Sequence, residues 1–372
     1  ASTNIQLAFE FASRAQAALA LMDRELISSW CLHAMDNYDT VGLHQAMSVI
    51  KDMQGFMELG RLRQHGSLFE DASAVLQPFV QGLSGRRLEL ALDDQAWTDG
   101  EVLYLPEIMA RLEDQQQNFQ LYKATVTHLW SLTRFGSLNI DPVQAFAVYP
   151  DKDHAQAWFH ALERVRLDAR IAREFPGLFR QMLALRDALE EVDWPAELDQ
   201  VKNQLGDVSA TIDDSLRWLP RLYTSDPPAP ACYQGVLRLD AAWQAREQRL
   251  LRDEARFRDA LRIIAEEIAE GKEDHKAPLS FDLREQDTEE GIDLPRLELV
   301  YLDQLMPVPE HVQNVLHSIQ LDLLQVPESY LVPAGPGEYD ASLLRDESLD
   351  PDDVWAGTYH EEGAFLYDEW DF

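Results

Sequence analysis

The spacing of apolar residues predicts that most of the chain is helical. Between residues 4 and 60, apolar side chains recur three, four or seven positions apart, which places them on one face of a helix. One stripe runs from Leu7 to Trp30, and a second runs from Leu43 to Met57 before Gly60. We therefore expect two helices in this region.

Two short strands interrupt the helical pattern. Residues 87–92 alternate between leucine and polar or small side chains, as in a half-buried strand. Residues 101–105 follow the turn signal at residues 98–100, and Pro106 then suits the first turn of a helix, where a missing amide costs nothing. We expect the two strands to form a small hairpin-like sheet.

Helical spacing resumes after Pro106. Residues 117–136 predict a helix that ends at Gly136, and residues 153–173 predict another that ends before Pro176. Shorter helices are expected over 67–84, 178–192 and 197–219.

A proline-rich segment at residues 224–230 separates these helices from a long one. In that helix Trp243, Leu250, Phe257 and Ile264 recur every seven residues, and we favour core packing over partner pairing as the reason. Residues 271–293 have the composition of an exposed loop, and structure is expected to resume at 297–302.

These elements predict a mainly α fold: a multi-helix body with a small β-hairpin or sheet insertion and an acidic, extended C-terminal tail. The expected organisation is a helical domain at 1–223, a linker at 224–235, a long helix with an acidic loop and further helices at 236–332, and an acidic aromatic tail at 333–372.

Charge narrows the choice of partners. The net charge is −34, from 66 acidic and 32 basic residues, and residues 271–372 carry −20 of it. Such a negative electrostatic field repels phosphate backbones and anionic lipid surfaces, so nucleic acid is a poor partner.

Apolar runs long enough to span a membrane are missing, so no membrane insertion is expected. Cys31 and Cys232 belong to no ligand or disulfide pattern, which fits a reducing cytoplasm.

The acidic tail carries scattered aromatic side chains. An acidic segment with isolated aromatics can bind in extended form across a partner, with the rings as anchors. The tail could instead pack back on its own helical body. The possible protein-binding residues are Tyr339, Trp355, Tyr359, Phe365, Tyr367 and Trp370.

The sequence offers no catalytic signature. Phosphate loop, dinucleotide fingerprint, HExxH helix and nucleophile elbow are all missing, so we expect no catalytic, cofactor-binding or metal-binding residues and no enzyme. His128 is the one histidine that resembles a zinc-peptidase ligand, but it lacks a glutamate base and a second histidine nearby. A packed helix histidine is the favoured interpretation, and a degenerate metallopeptidase-like enzyme centred on His128 is the alternative.

Several stretches together resemble a known family. They are residues 98–106, 118–124, 128–136 and 164–178, in this order, and residues 367–372 at the end of the chain. As a set they are similar to the region that precedes the von Willebrand factor A domain in the NorD/CbbO family of activator proteins. Overall similarity favours the Rubisco activase subunit CbbO over the nitric oxide reductase activator NorD.

The resemblance implies a function and a larger protein. It implies an adaptor that anchors to a hexameric MoxR-type AAA+ ATPase and helps to activate a target enzyme, either inhibited Rubisco or nitric oxide reductase. It also implies that the sequence is a fragment, because the A domain would follow Phe372. A divalent metal would belong to that domain, and the DxSxS signature of its metal site does not occur here.

Overall fold

The computed structural model describes residues 5–83, 88–270, 280–285, 297–301, 304–306 and 308–344. Within these residues the protein is mainly α-helical with small sheets, which confirms the predicted fold class. The chain divides into two compact units, residues 1–243 and 244–372. The first unit contains helices α1 (Ile5–Leu21), α2 (Arg24–Thr40), α3 (Leu43–Lys51), α4 (Met53–His65), α5 (Phe69–Leu83), α6 (Gln115–Arg134), α7 (Pro142–Phe146), α8 (Lys152–Glu174), α9 (Pro176–Ala188), α10 (Asp199–Leu205) and α11 (Ile212–Leu222).

The remaining elements are short strands and the helices of the second unit. Helix α12 (Leu239–Glu270) begins in the first unit and continues into the second. The strands of the first unit are β1 (Ser67–Leu68), β2 (Glu89–Leu92), β3 (Trp97–Thr98), β4 (Val102–Leu105) and β5 (Ile108–Met109). The second unit contains β6 (Asp282–Glu285), β7 (Leu297–Tyr301), β8 (Gln304–Leu305), α13 (Glu310–Leu323) and α14 (Ala341–Leu344).

The N-terminal region forms four helices rather than the two that its apolar stripes predict. The Asp23 side chain accepts a 2.8 Å hydrogen bond from the Leu26 amide and starts α2, so the first stripe is cut there. Gly42, with φ of 112°, separates α2 from α3. Helices α1, α2 and α3 bury Trp30 and Ile50 in a cluster of their own. The residues of the two stripes pack in or against this cluster except Leu19, which is 72% exposed, and the helix breaks fall at the Asp23 cap and at Gly42.

The small central sheet has the strand order β2-β4-β3. The predicted pairing of residues 87–92 with 101–105 exists, but it is parallel, with Leu90 opposite Leu103. The antiparallel partner of β4 is β3, and Trp97 stacks on Tyr104 with ring centroids 4.1 Å apart. The true hairpin is therefore β3-β4, closed by Asp99, whose carboxylate accepts from two amides.

Helices α6 and α8 form the centre of the first unit. Helix α6 starts at the Asp114 cap and stops just before Gly136, whose φ is 73°, as the sequence predicts. Trp130 is 1% exposed and Phe119 is half-buried, so these side chains are part of the packing.

The proline-rich segment leads back into the first unit. Residues 231–234 are buried, and the Cys232 amide donates to Glu191 at 2.6 Å. Gly235, with φ of 69°, follows, and a β-carbon there would lie 2.5 Å from the Ala96 carbonyl oxygen. The linker expected at 224–235 thus ends inside the core, and the two units divide at 243/244 instead.

The second unit is built around α12. Phe257, Leu261 and Ile264 are buried against β7 and α13, as core packing predicts for the seven-residue repeat. Strand β6 pairs antiparallel with β7 in a region expected to be loop, and Phe281 beside it is 1% exposed. The charged composition of residues 271–293 hid this strand, and the rest of that range lies outside the described residues.

Candidate functional site

Tyr339 is the only predicted protein-binding residue that falls within the described part of the chain. Tyr339 packs against α12 through Arg258, a residue of that helix. The Arg258 guanidinium donates to the Tyr339 hydroxyl oxygen at 2.6 Å and lies 5.6 Å from the centroid of the Tyr339 ring. Trp355, Tyr359, Phe365, Tyr367 and Trp370 lie outside the described residues.

Arg258 forms hydrogen bonds and an ion pair with the segment that leads into the tail. Its Nε donates to the Val332 carbonyl at 2.9 Å, and its Nη1 forms a 2.7 Å ion pair with Glu338. The Ala334 amide donates to the Arg258 carbonyl at 3.0 Å. Residues 332–339 are therefore anchored to α12, which agrees with the alternative that this part of the tail packs on its own body.

The charges of Arg258 and Glu338 stabilise each other. Partial burial disfavours the charged guanidinium, but Tyr339 and Glu338 outweigh it and raise the pKa of Arg258. The Gly335 amide is the main cause of the lowered pKa of Glu338, and Arg258 adds to it. In this arrangement Arg258 binds a carboxylate and a phenol by charge and hydrogen bonding.

His128 lies in the core of the first unit, as its favoured interpretation predicts. It is 0% exposed, its ring centroid lies 6.3 Å from that of His160 on α8, and the Tyr233 ring is 5.8 Å away. Neither ring nitrogen of His128 has a hydrogen-bond partner among the described residues. Burial lowers the pKa of His128 well below its ordinary value and lowers that of His160 to about 4. Both imidazoles are therefore neutral at pH 7.

Tyr233, which packs near His128, also contacts a buried acidic residue. The Tyr233 hydroxyl donates to the Asp168 carboxylate at 2.9 Å, and Arg164 lies 3.3 Å from it. Burial raises the pKa of Asp168 to about 6, although Arg164 and Tyr233 act in the opposite direction. The described residues include no group of three or more histidine, cysteine, aspartate or glutamate side chains that could hold a metal ion. The metallopeptidase-like alternative stays a hypothesis, which a metal analysis of the purified protein would test.

A second buried polar cluster was not anticipated from the sequence. Glu163 and Arg166, one turn apart on α8, form an ion pair of 2.5 Å and are both buried. Ser137 and Ser215 also donate hydroxyl protons to Glu163, and Arg166 donates to the Phe135 carbonyl at 3.0 Å. Burial raises the pKa of Glu163, but Arg166 and the two serines outweigh it, so the pKa is lowered and the carboxylate stays charged.

This cluster joins the end of α6 to α8 and α11. Glu163 and Arg166 sit three residues apart within a strongly helical stretch, a spacing that is usually a solvated surface pair. The serines that complete the cluster lie 26 and 52 residues away. Glu163 follows Phe159 by four residues and Arg166 follows Leu162 by four, so each charge shares a helix face with a large apolar residue, and this was the one available signal. The cluster holds these helices together and is buried from solvent.

Comparisons with protein-family models, with curated proteins and with solved structures gave no match to this chain. In the described part of the chain, no helix has both the length and the apolar character that crossing a membrane requires.

Proposed function

We propose that this chain is part of a cytoplasmic adaptor subunit of a MoxR-type AAA+ ATPase complex. In this proposal the ATPase hydrolyses nucleotide, the chain anchors to the ring, and the complex activates a target enzyme. Inhibited Rubisco is the proposed target, and nitric oxide reductase is the alternative. The proposal starts from the resemblance of residues 98–106, 118–124, 128–136 and 164–178 to the NorD/CbbO activators.

One observation supports treating these stretches as a single module: they meet in one hydrophobic core. The Tyr122 hydroxyl donates to the Pro106 carbonyl and links the first stretch to the second. The Trp130 ring lies 5.8 Å from that of Phe175, which links the third stretch to the fourth. Stretches that meet in one core can act as a single folded unit, which is what a fold shared with these activators would require.

The chemistry of the described residues also suits a scaffold. The two buried polar clusters are enclosed, so His128, Asp168 and Glu163 have no access to a substrate. The anchored segment at Arg258 gives the acidic tail a fixed starting point on α12. A fixed start is useful for a segment that must connect a ring-binding body to a target-binding domain.

Co-purification tests the proposal. The chain carrying an affinity tag is co-expressed with the MoxR-type ATPase encoded by its neighbouring gene, and the eluted complex is weighed by light scattering with ATP and with ADP. We expect a complex whose mass equals one ATPase hexamer plus the adaptor. A matched sample with the Trp130→Ala variant, whose core is disrupted, should lose the complex.

The target is tested separately from the ring. A longer protein that continues into the A domain is added with the ATPase to sugar-phosphate-inhibited Rubisco, and recovery of carboxylation is followed. Recovery only in the presence of both proteins and ATP supports Rubisco as the target.

The co-purification decides the adaptor proposal itself. If the folded chain never elutes with the ATPase in either nucleotide state, the adaptor proposal is wrong.

A further inference from the structure

The outward face of α1 is apolar although nothing in the described structure covers it. Ile5, Phe9 and Leu19 are 85%, 73% and 72% exposed. At 100° per residue they share one side of the helix with Ala8, Ala12, Gln16 and Ala20, and all seven are exposed. We call these seven residues the α1 outer face. The opposite side of the helix, with Leu7 and Ala18, packs in the N-terminal cluster.

The α1 outer face carries no charge, in a chain with a net charge of −34. The only charged residues of α1, Glu10 and Arg14, form an ion pair with each other on a different side. Two copies of so acidic a chain repel each other over most of their surfaces. An uncharged apolar face is where that repulsion is weakest and where burial of apolar area favours contact.

The face is also complementary to itself. Ile5, Ala12 and Leu19 are spaced by seven residues, with the small residue in the middle. If two α1 helices run antiparallel about a two-fold axis at Ala12, Ile5 of each copy lies opposite Leu19 of the other. Ala12 then meets Ala12, which lets the two backbones approach closely. A two-fold contact needs such a self-complementary surface, and a seven-residue repeat suits helix pairing.

We propose that the α1 outer face is a dimerisation surface on which a second copy of this chain binds antiparallel. This inference does not depend on the proposed adaptor function. Helix α1 has 17 residues, so it is about 25 Å long. One helix pair of that length buries less than the roughly 1,600 Å² of a standard interface. A weak dimer is therefore expected, with a dissociation constant of about 10–100 µM.

Sedimentation velocity of the whole chain tests this from about 1 to 300 µM, a range that brackets the expected constant. The wild type should shift from monomer to dimer, and added salt should strengthen the dimer because it screens the repulsion between acidic surfaces. Phe9→Glu should weaken association at least about tenfold, since it buries a charge. Ala17→Glu adds the same charge to an exposed position of α1 outside the face and should leave association unchanged.

Disulfide trapping tests the direction of pairing in a Cys31→Ser background. Ala12→Cys should cross-link to itself, and Ile5→Cys should cross-link to Leu19→Cys when the two proteins are mixed. Circular dichroism of each variant checks that it is folded. The proposal is wrong if the wild type stays monomeric at the highest concentration. It is also wrong if Phe9→Glu and Ala17→Glu behave alike, or if Ile5→Cys cross-links only to itself.

Discussion

Trp130 on α6 packs edge-on against Phe175, the residue between α8 and α9, with ring centroids 5.8 Å apart. The contact joins α6 to the junction between α8 and α9, and it places the largest side chain of α6 in the core of the first unit. The indole nitrogen of Trp130 has no hydrogen-bond partner among the described residues, so the ring contributes by packing alone.

Replacing the Trp130 ring should therefore lower the stability of the protein through the cavity that it leaves. We predict that Trp130→Ala lowers the free energy of unfolding by about 3–5 kcal/mol, measured by urea denaturation. Trp130→Phe should cost less, because it keeps an aromatic ring and loses no hydrogen bond. Gln116→Ala at an exposed position of the same helix is the control and should change stability by less than about 0.5 kcal/mol. Equal stability of Trp130→Ala and wild type would contradict the packing role.

The buried histidines predict a loss of stability in acid. The pKa of His128 is lowered in the folded state, whereas in the unfolded chain it has its ordinary value of about 6.5. Below about pH 6.5 the unfolded chain therefore binds a proton that the folded protein does not. The free energy of unfolding is unaffected by His128 above this pH and decreases as the pH falls below it. At pH 5 the loss from one such group is at most about 2 kcal/mol, the limit set by an unfolded-state pKa of about 6.5.

His128→Leu isolates this effect. Between pH 7 and pH 5 the variant should lose less stability than the wild type, by up to about 2 kcal/mol. Asp168 acts in the opposite direction, because its raised pKa of about 6 means that the folded protein takes up a proton there as the pH falls. Since Asp168 is present in both proteins, its contribution largely cancels in the comparison. Parallel pH profiles of the two proteins would show that His128 is not buried neutral.

The pair formed by Glu163 and Arg166 should behave as a unit. Removing one partner of a buried ion pair leaves an uncompensated charge, so Arg166→Leu should cost about 3–5 kcal/mol. The double variant Glu163→Leu with Arg166→Leu should be destabilised by less than the sum of the two single variants, with a coupling of at least about 1 kcal/mol. Lys202→Leu removes one partner of an exposed pair with Asp199 and should cost less than about 1 kcal/mol. Additive single effects in the urea unfolding cycle would contradict the coupling.

Arg258 should control how firmly residues 332–339 are held on α12. In Arg258→Gln the ion pair with Glu338 and the hydrogen bond to Tyr339 are lost or weakened. Amide hydrogen exchange of the Ala334 and Gly335 region should then become about tenfold faster or more. Arg262→Gln, one turn later on the same helix, loses only contacts with Asp259 and Glu266 and should leave that exchange unchanged. Unchanged protection in Arg258→Gln would mean that Arg258 does not anchor the segment.

The sequence by itself determined the elements whose signals are local. Helix α6 could be predicted because its apolar stripe and Gly136 lie within a few turns of each other, and the long helix α12 could be predicted because its seven-residue repeat is uninterrupted. The burial of His128 did not follow from this periodicity, because His128 lies on the opposite side of α6 from the apolar stripe and is covered there by His160 on α8 and by Tyr233.

Tertiary structure decided the features that depend on distant partners. Strand β2 pairs parallel with one edge of β4 while β3 pairs antiparallel with the other, and the alternation of apolar residues does not specify the direction of either strand. Strand β6 forms in a charged region because β7 supplies its hydrogen bonds. Glu163 and Arg166 are buried because Ser137 and Ser215 satisfy them from other elements. Burial of a charge is favourable only when such partners converge, and their convergence is a property of the fold rather than of any single stretch of sequence.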